Sequence, residues 1–329
     1  FEKVLKGEKV YAAKKEPEIF EKIIGKTLLT PRSHAYIKIA EGCDNRCSYC
    51  LIPYLKGKYR SRRMEDILEE VKSVIRLGVK EIILVAQDCG YYGKDLYGTN
   101  SLANLLQNIE KIPGDFWCRV LYIYPERIDE SLLKTIAKSK KICKYLDIPL
   151  QHGDSEVLRM MFRPSIIKNT LQKIAKIKKI IPQVSLRTSI IVGFPGETEK
   201  AFKNLESFVK KIDFDHLGVF EYSREPGTPA YKMPNQIPTR TKSVRREKIM
   251  LLQQKISTAK NKKLKGKNFK TLIEKYDPKA NLYIGRTEKF APEIDGEVII
   301  KSKKSLKLYE FANVKITKAG IYDLYGEVA

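Results

Sequence analysis

The chain has 329 residues, 63 Lys and Arg against 39 Asp and Glu, a formal net charge of +24, 43% hydrophobic residues and six cysteines. It is too apolar for a disordered polybasic tail and long enough for two domains with substantial cores. No run of about 18 apolar residues occurs, which excludes a membrane-spanning helix, and the opening FEKVLKGEKV lacks the apolar stretch of a secretory signal. A cytoplasmic location with no membrane partner is the expectation, and six unpaired thiols suit a reducing compartment.

The chain opens on Phe1 rather than Met, and residues 1–30 read as a charged linker from an absent upstream domain, with one short helical pattern from Pro17 to Ile24. From about residue 34 to 263, short β-branched runs alternate with amphipathic helical patterns. The predicted strands are 35–41, 81–87, 119–124, 144–149, 184–194 and 216–223. Apolar stripes at three-to-four spacing predict helices through Met64 to Val74, Leu102 to Ile109, Leu132 to Ile136, Leu171 to Ile180 and Phe202 to Val209, and a last helix covers Thr239 to Lys263. Six strand-helix units in series imply a parallel sheet with right-handed crossovers. Eight would close a barrel in about 250 residues; six predict an open, partial (βα)6 barrel.

Past Gly266 the pattern changes. Residues 268–276, 282–288, 296–302, 311–320 and 322–328 read as short strands broken by Asp-Pro, Ala-Pro and Asp-Gly turn signals. The expectation is a small all-β, OB-like barrel over 266–329, following an α/β domain over 31–265. Between them, Pro238 to Lys265 holds ten basic residues and one acid, Glu247. A basic surface can be merely a solvated face, but an excess of +24 favours steering towards RNA or a ribonucleoprotein.

The sharpest local signal is Cys43-Asp44-Asn45-Arg46-Cys47-Ser48-Tyr49-Cys50, a C-x3-C-x2-C triplet after the first strand. Three thiolates on so short a loop can wrap one soft-metal centre. Zinc would need a fourth ligand, and the next cysteine, Cys89, lies 39 residues beyond Cys50. Three ligands on a 4Fe-4S cluster leave one iron open to a substrate or cofactor. The loop sits at the C-terminal end of a barrel strand, where active sites of parallel barrels gather. Cys89, Cys118 and Cys143 lie about 25 to 30 residues apart at three different strands and read as structural thiols rather than a second cluster.

This triplet, with an aromatic residue before its third cysteine and a six-unit partial barrel behind it, resembles the radical S-adenosylmethionine (radical SAM) superfamily. The resemblance implies that Cys43, Cys47 and Cys50 are the metal ligands and catalytic centre, and that SAM is the second cofactor. It implies SAM contacts by Tyr49, by Gln87 and Asp88 after the second strand, and by Gln151 and His152 after the fourth. It adds Gly193 and Gly196 in IIVGFPGET, where glycine permits close backbone approach, and Tyr222 and Ser223 after the sixth strand. His152 and Tyr222 could equally be core residues, and Glu197-Thr198 a plain helix start.

The segments YIKIAEGCDNRCSYCLIPYLKGKYRSR, VAQDCGYYGKDLYG, YLDIPLQH, IIVGFPGET and YSREPGTPA together resemble the methylthiotransferases, whose terminal β-barrel is called TRAM. That family pattern places a second 4Fe-4S cluster in an N-terminal domain that this chain lacks. Asp44, Gln87-Asp88 and Gln151-His152 match the branch that methylthiolates the β-carbon of an aspartate in small-subunit ribosomal protein twelve. The other branch modifies C2 of a tRNA adenosine, with Asn, Gln-Asn and Gln-Ser at these places. The implied partners are the ribosomal protein or assembling subunit, RNA through helix 238–265 and TRAM, and an electron donor. A fragment of this kind is expected to cleave SAM without completing methylthio transfer. A zinc-containing RNA-binding protein is the alternative of a different class.

Overall fold

The structure, a computed structural model, describes residues 32–163 and 167–328. The linker and the helical pattern expected within residues 1–30 lie outside the described residues. Six parallel strands build the first unit: β1 (His34–Lys38), β2 (Glu81–Val85), β3 (Trp117–Val120), β4 (Tyr145–Asp147), β5 (Ser185–Val192) and β6 (His216–Glu221). β1, β2 and β3 pair in that order, as do β4, β5 and β6. Across the junction, Cys143 N donates to Cys118 O and Ile123 N to Asp147 O, each at 2.9 Å. Among the described residues β6 does not pair with β1, so the barrel stays open.

The connecting helices are α1 (Met64–Arg76), α2 (Leu102–Glu110), α3 (Glu130–Lys138), α4 (Ser155–Met160), α5 (Ile167–Ile180), α6 (Glu199–Ile212) and α7 (Thr239–Lys262). Alternate strand residues, among them Ile37, Ile82, Leu84, Leu146 and Leu186, meet the apolar stripes of these helices in one core. Asp129, Asp154 and Thr198 cap α3, α4 and α6 by accepting hydrogen bonds from the first-turn amides. Among the described residues no helix is long and apolar enough to cross a membrane.

Every barrel strand ends two to four residues before its predicted end. The alternating side-chain pattern continues there, but the backbone leaves the sheet. Tyr122, Gln151 and Gly193 take left-handed conformations with φ of 59°, 68° and 71° just beyond β3, β4 and β5. These departures turn the strand ends into the rim of a cavity.

The C-terminal unit is a closed five-stranded barrel of β7 (Asn268–Asp277), β8 (Leu282–Thr287), β9 (Val298–Lys301), β10 (Phe311–Ala319) and β11 (Leu324–Val328), in the order β8-β9-β11-β10-β7. Closure removes the exposed edges that a short sheet would leave. This small barrel seats against the inward-facing starts of the parallel strands. Leu272, Ala291 and Phe311 pack with Ile83, Trp117, Leu121, Cys143 and Tyr145, and the Trp117 and Phe311 rings lie 4.7 Å apart.

Buried charge joins the two units. Glu81 accepts from Arg119 Nε at 2.6 Å and from Arg286 Nη2 of the small barrel at 2.7 Å, and Arg286 also holds Glu274 at 2.7 Å. Asp295 accepts from the Tyr145 hydroxyl at 2.6 Å and stands 3.7 Å from Arg187 Nε. Arg187 in turn donates to Asp147 at 3.0 Å.

Candidate active site

The cysteine loop leaves β1 through Gly42, whose φ is 78° and whose absent Cβ would stand 2.0 Å from Lys58 O. Any other residue there would expel the returning strand. The loop is then fixed from three sides. Cys43 N donates to Gly57 O at 3.2 Å, Tyr59 N to Asp44 Oδ1 at 3.0 Å, and Ser48 Oγ to Met160 O at 2.8 Å. Ala230 N closes the third side on Ser48 O at 2.8 Å.

Cys43, Cys47 and Cys50 are free thiols lining one cavity of about 370 Å3 at the C-terminal mouth of the barrel. Among the described residues no three His, Cys, Asp or Glu side chains converge on a single-ion position. The triplet instead shares a wall with room for something larger. Burial pushes the Cys43 thiol up to about 11 and also raises that of Cys50.

Opposite Cys47, Arg163 brings Nη1 to 3.8 Å from its sulfur. The guanidinium is buried, donates to Pro149 O at 2.7 Å and lies over the Tyr124 ring with its carbon 4.1 Å from the centroid. Its Nε is buried with no hydrogen-bond partner. A permanent cation at a wall of thiols is the complement of an anionic sulfur-ligated centre. The donor set, the cavity and this cation therefore fit a cluster bound by three thiolates, which Cys43, Cys47 and Cys50 would hold.

Tyr49, Gln87 and Gln151 line the same cavity, as the family pattern implies. The other SAM candidates stand elsewhere. Asp88 is buried beneath the loop, accepting from Asn45 Nδ2 at 2.9 Å, Gly90 N at 3.1 Å and Tyr124 N at 3.2 Å, so it ties the loop to the ends of β2 and β3. His152 is fully buried, with Nδ1 accepting from Asp154 N at 3.0 Å and Nε2 3.5 Å from Glu197. It faces the helix side of the sheet, because the left-handed Gln151 turns that residue, and not its neighbour, into the cavity.

Gly193 and Gly196 bracket a turn held by Glu197, which accepts from Gly193 N at 2.6 Å and pairs with Arg245 of α7 at 2.9 Å. A Cβ on Gly193 would come within 2.3 Å of the Lys242 side chain. Tyr222 is buried against Phe194, which also meets Tyr49 edge-on, so an aromatic column runs from the cysteine loop to the end of β6. Ser223 is exposed and donates to Glu225.

Asn45, Tyr122, Tyr124, Arg163 and Ser189 also line the cavity, beside the apolar Ile52, Ala86 and Pro149, and are not among the residues that the family pattern implies. Asn45 lay inside the quoted motif; the others arrive from separate elements with no shared pattern. Cys89, Cys118 and Cys143 are buried outside the cavity, with burial driving the first two thiols well up and Cys143 to about 12. The basic segment is less uniform than its composition: Arg245 is buried on Glu197, Lys242 donates to Tyr222 O, and Lys260 pairs with Asp215.

The model of the radical SAM superfamily matches residues 37–209, and that of the TRAM domain matches residues 266–329. The ribosomal protein uS12 methylthiotransferase RimO of Acetivibrio thermocellus is 50% identical over 301 residues, covering 92% of this chain and 66% of the relative. RimO of Carboxydothermus hydrogenoformans is 50% identical over 89% of this chain and 67% of its own length, and that of Pelotomaculum thermopropionicum 48% identical over 99% and 73%. The chain thus spans about two thirds of the length of these curated relatives.

Among solved structures, the radical SAM methyltransferase TsrM of Kitasatospora setae aligns with a TM-score of 0.50 at 19% identity, over 59% of this chain and 38% of that one. Coproporphyrinogen III oxidase HemN of Escherichia coli aligns with a TM-score of 0.50 at 17% identity, over 69% and 54%. These two likenesses concern the fold. With the cysteine-lined cavity, the open parallel barrel and the small closed barrel in this order, the chain belongs to the radical SAM superfamily and, within it, to the RimO family of methylthiotransferases.

Proposed function

We propose that this chain binds a 4Fe-4S cluster and SAM, cleaves SAM reductively, and serves the methylthiolation of an aspartate β-carbon in ribosomal protein uS12. The observation that carries this reading is the placement of three free thiols around one cavity at the C-terminal end of a parallel barrel. When bound, the cluster would supply one electron to the SAM sulfonium, so that methionine leaves and a deoxyadenosyl carbon radical can take hydrogen from an unactivated carbon. The chain's own residues do the rest. Cys43, Cys47 and Cys50 hold the cluster, and Arg163 offsets its negative charge from the Cys47 side.

Gln87, Gln151, Tyr49 and Ser189 offer polar groups to SAM, while the Gly193 to Gly196 turn, fixed by Glu197, presents backbone for the adenine. Asp88 and His152 are positioning residues behind that wall. In domain terms, we read 31–265 as the catalytic unit, 266–329 as the substrate-binding TRAM unit, and 1–30 as a linker. The exposed cations Arg240, Lys248, Lys255, Lys262, Lys263 and Lys265 suit contact with RNA around the ribosomal protein. On this reading the enzyme is cytoplasmic and draws on an electron donor. The names of the relatives favour uS12 over a tRNA adenosine.

The test is anaerobic reconstitution of this chain with iron and sulfide, then SAM and a reductant. About four irons per chain, absorption near 400 nm and 5′-deoxyadenosine are expected, and on the single-cluster reading no methylthiolated uS12. Eight irons per chain, or methylthiolated product, refutes the single-cluster reading; a colourless zinc protein refutes the whole. Mass spectrometry of uS12 and tRNA from cells lacking the gene decides the substrate.

A further inference from the structure

A second cavity, of about 490 Å3, lies where β6 and α7 meet the loops of the small barrel. Nothing in the reaction above uses it. Its wall includes Gln253 of α7, which is buried to 1% exposure. The Gln253 Nε2 donates to Phe214 O at 3.0 Å and to Ser257 Oγ at 3.0 Å. Because Phe214 O can only accept, the amide orientation is fixed, and Oε1 is left buried without a hydrogen-bond donor. A buried acceptor in this state keeps its desolvation cost unrepaid until a donor reaches it.

The same cavity is acidic, on a chain whose net charge is +24. Asp215, Asp295 and Asp323 line it, against one arginine, Arg187, and one histidine, His216, whose Nδ1 lies 3.5 Å from Asp295. Asp215 is balanced by Lys260 at 3.0 Å, and Asp295 stands 3.7 Å from Arg187. Asp323 accepts from Glu297 N at 3.0 Å through Oδ1, and no cation pairs with it among the described residues. Around these groups Ile294, Ile321 and Tyr322 are 41–46% exposed, with Ile294, Ile321 and Tyr322 all on the cavity wall.

We propose that this cavity binds an arginine side chain of a protein partner. The guanidinium is the group that matches every part of it. It carries five donors and no acceptor, so it can satisfy the Gln253 oxygen and the Asp323 carboxylate together. Its aliphatic stem and flat face suit an isoleucine and tyrosine rim. A phosphate or an RNA backbone meets the unpaired Asp323 carboxylate and an orphan acceptor here, and has nothing to donate to either. The site is independent of the cluster and of SAM, so failure of the catalytic reading leaves it intact.

The test titrates this chain with N-acetyl-arginine methylamide and with its citrulline counterpart, which has the same length and no charge. Saturable binding of the arginine compound, at least tenfold tighter than the citrulline one, is expected. Gln253→Leu should weaken it at least fivefold. Asp323→Asn keeps the Oδ1 acceptor for Glu297 N while removing the charge, and should weaken binding at least threefold even if Gln253→Leu fails to fold. Equal binding of the two compounds, wild-type affinity in Asp323→Asn, or displacement of arginine by a hexauridylate would overturn the assignment.

Discussion

Glu81→Gln is the most informative perturbation of the seam between the two barrels. Glu81 and Arg119 are both fully buried, and the carboxylate joins Arg119 at 2.6 Å to Arg286 at 2.7 Å. After substitution Arg286 keeps Glu274, reached through Nε at 2.9 Å and Nη2 at 2.7 Å, whereas Arg119 loses its carboxylate. Breaking a buried pair by removing one partner costs about 3–5 kcal/mol. Glu274→Gln leaves Arg286 still paired with Glu81, and Glu274 keeps some contact with water, so that change should cost about 2 kcal/mol.

Trp117, the chain's single tryptophan, stands against Phe311 and reports this seam. At a slope of about 2 kcal/mol per molar urea, the Trp117 transition should fall by about 1.5–2.5 M in Glu81→Gln and about 1 M in Glu274→Gln. Equal shifts, or none, would refute the argument that Arg119 is the stranded charge. The pH dependence adds a sign. Burial alone pushes the Glu81 carboxyl up, but Arg119 and Arg286 with their hydrogen bonds outweigh it and hold it below its ordinary 4.5. Its contribution is therefore full above about pH 4.5 and is lost as the pH falls through the lower folded value, a loss that Glu81→Gln should not show.

Replacing Cys43, Cys47 or Cys50 by Ala should abolish both the absorption near 400 nm and deoxyadenosine formation, while Cys89→Ser retains both; optical spectra and product analysis decide. Gly42→Ala should leave little folded protein, because its Cβ meets a carbonyl at 2.0 Å, as expression and thermal unfolding will report. Gly193→Ala must hold φ near 71° and move Lys242, at a cost of about 1–3 kcal/mol, and should weaken SAM binding in calorimetry. Arg163→Met removes the cation beside Cys47, and the reduction potential of the reconstituted cluster should become more negative in potentiometry; an unchanged potential would dismiss that role.

The cysteine triplet was readable because its three ligands occupy eight consecutive residues, and the barrel because its strands and stripes repeat with regular periods. Arg163 was not, since its closeness to Cys47 depends on how α4 ends, and one arginine after a helix resembles any other. His152, implied by the family resemblance with a core role as its alternative, stands on the helix side of the sheet, where no sequence pattern would place it. Strand alternation says which residues share a face only while the strand lasts; this one ends at Asp147, and the left-handed backbone at Gln151 then resets the direction of the chain. The seam was equally hidden. Glu81, Arg119 and Arg286 belong to three strands, and a charge in a strand normally signals solvent rather than a neighbouring domain.

The plugging of the parallel strands by the small barrel also sets an order of events during synthesis. The ribosome releases Glu81 and Arg119 long before Arg286, and Trp117 long before Phe311. Until the last 60 or so residues emerge, the nascent catalytic unit holds a carboxylate and an arginine with an unfinished ring of partners and an uncovered aromatic floor. A chain halted near residue 265 would thus leave Ile83, Trp117, Leu121 and Tyr145 without the cover that Leu272, Ala291 and Phe311 bring.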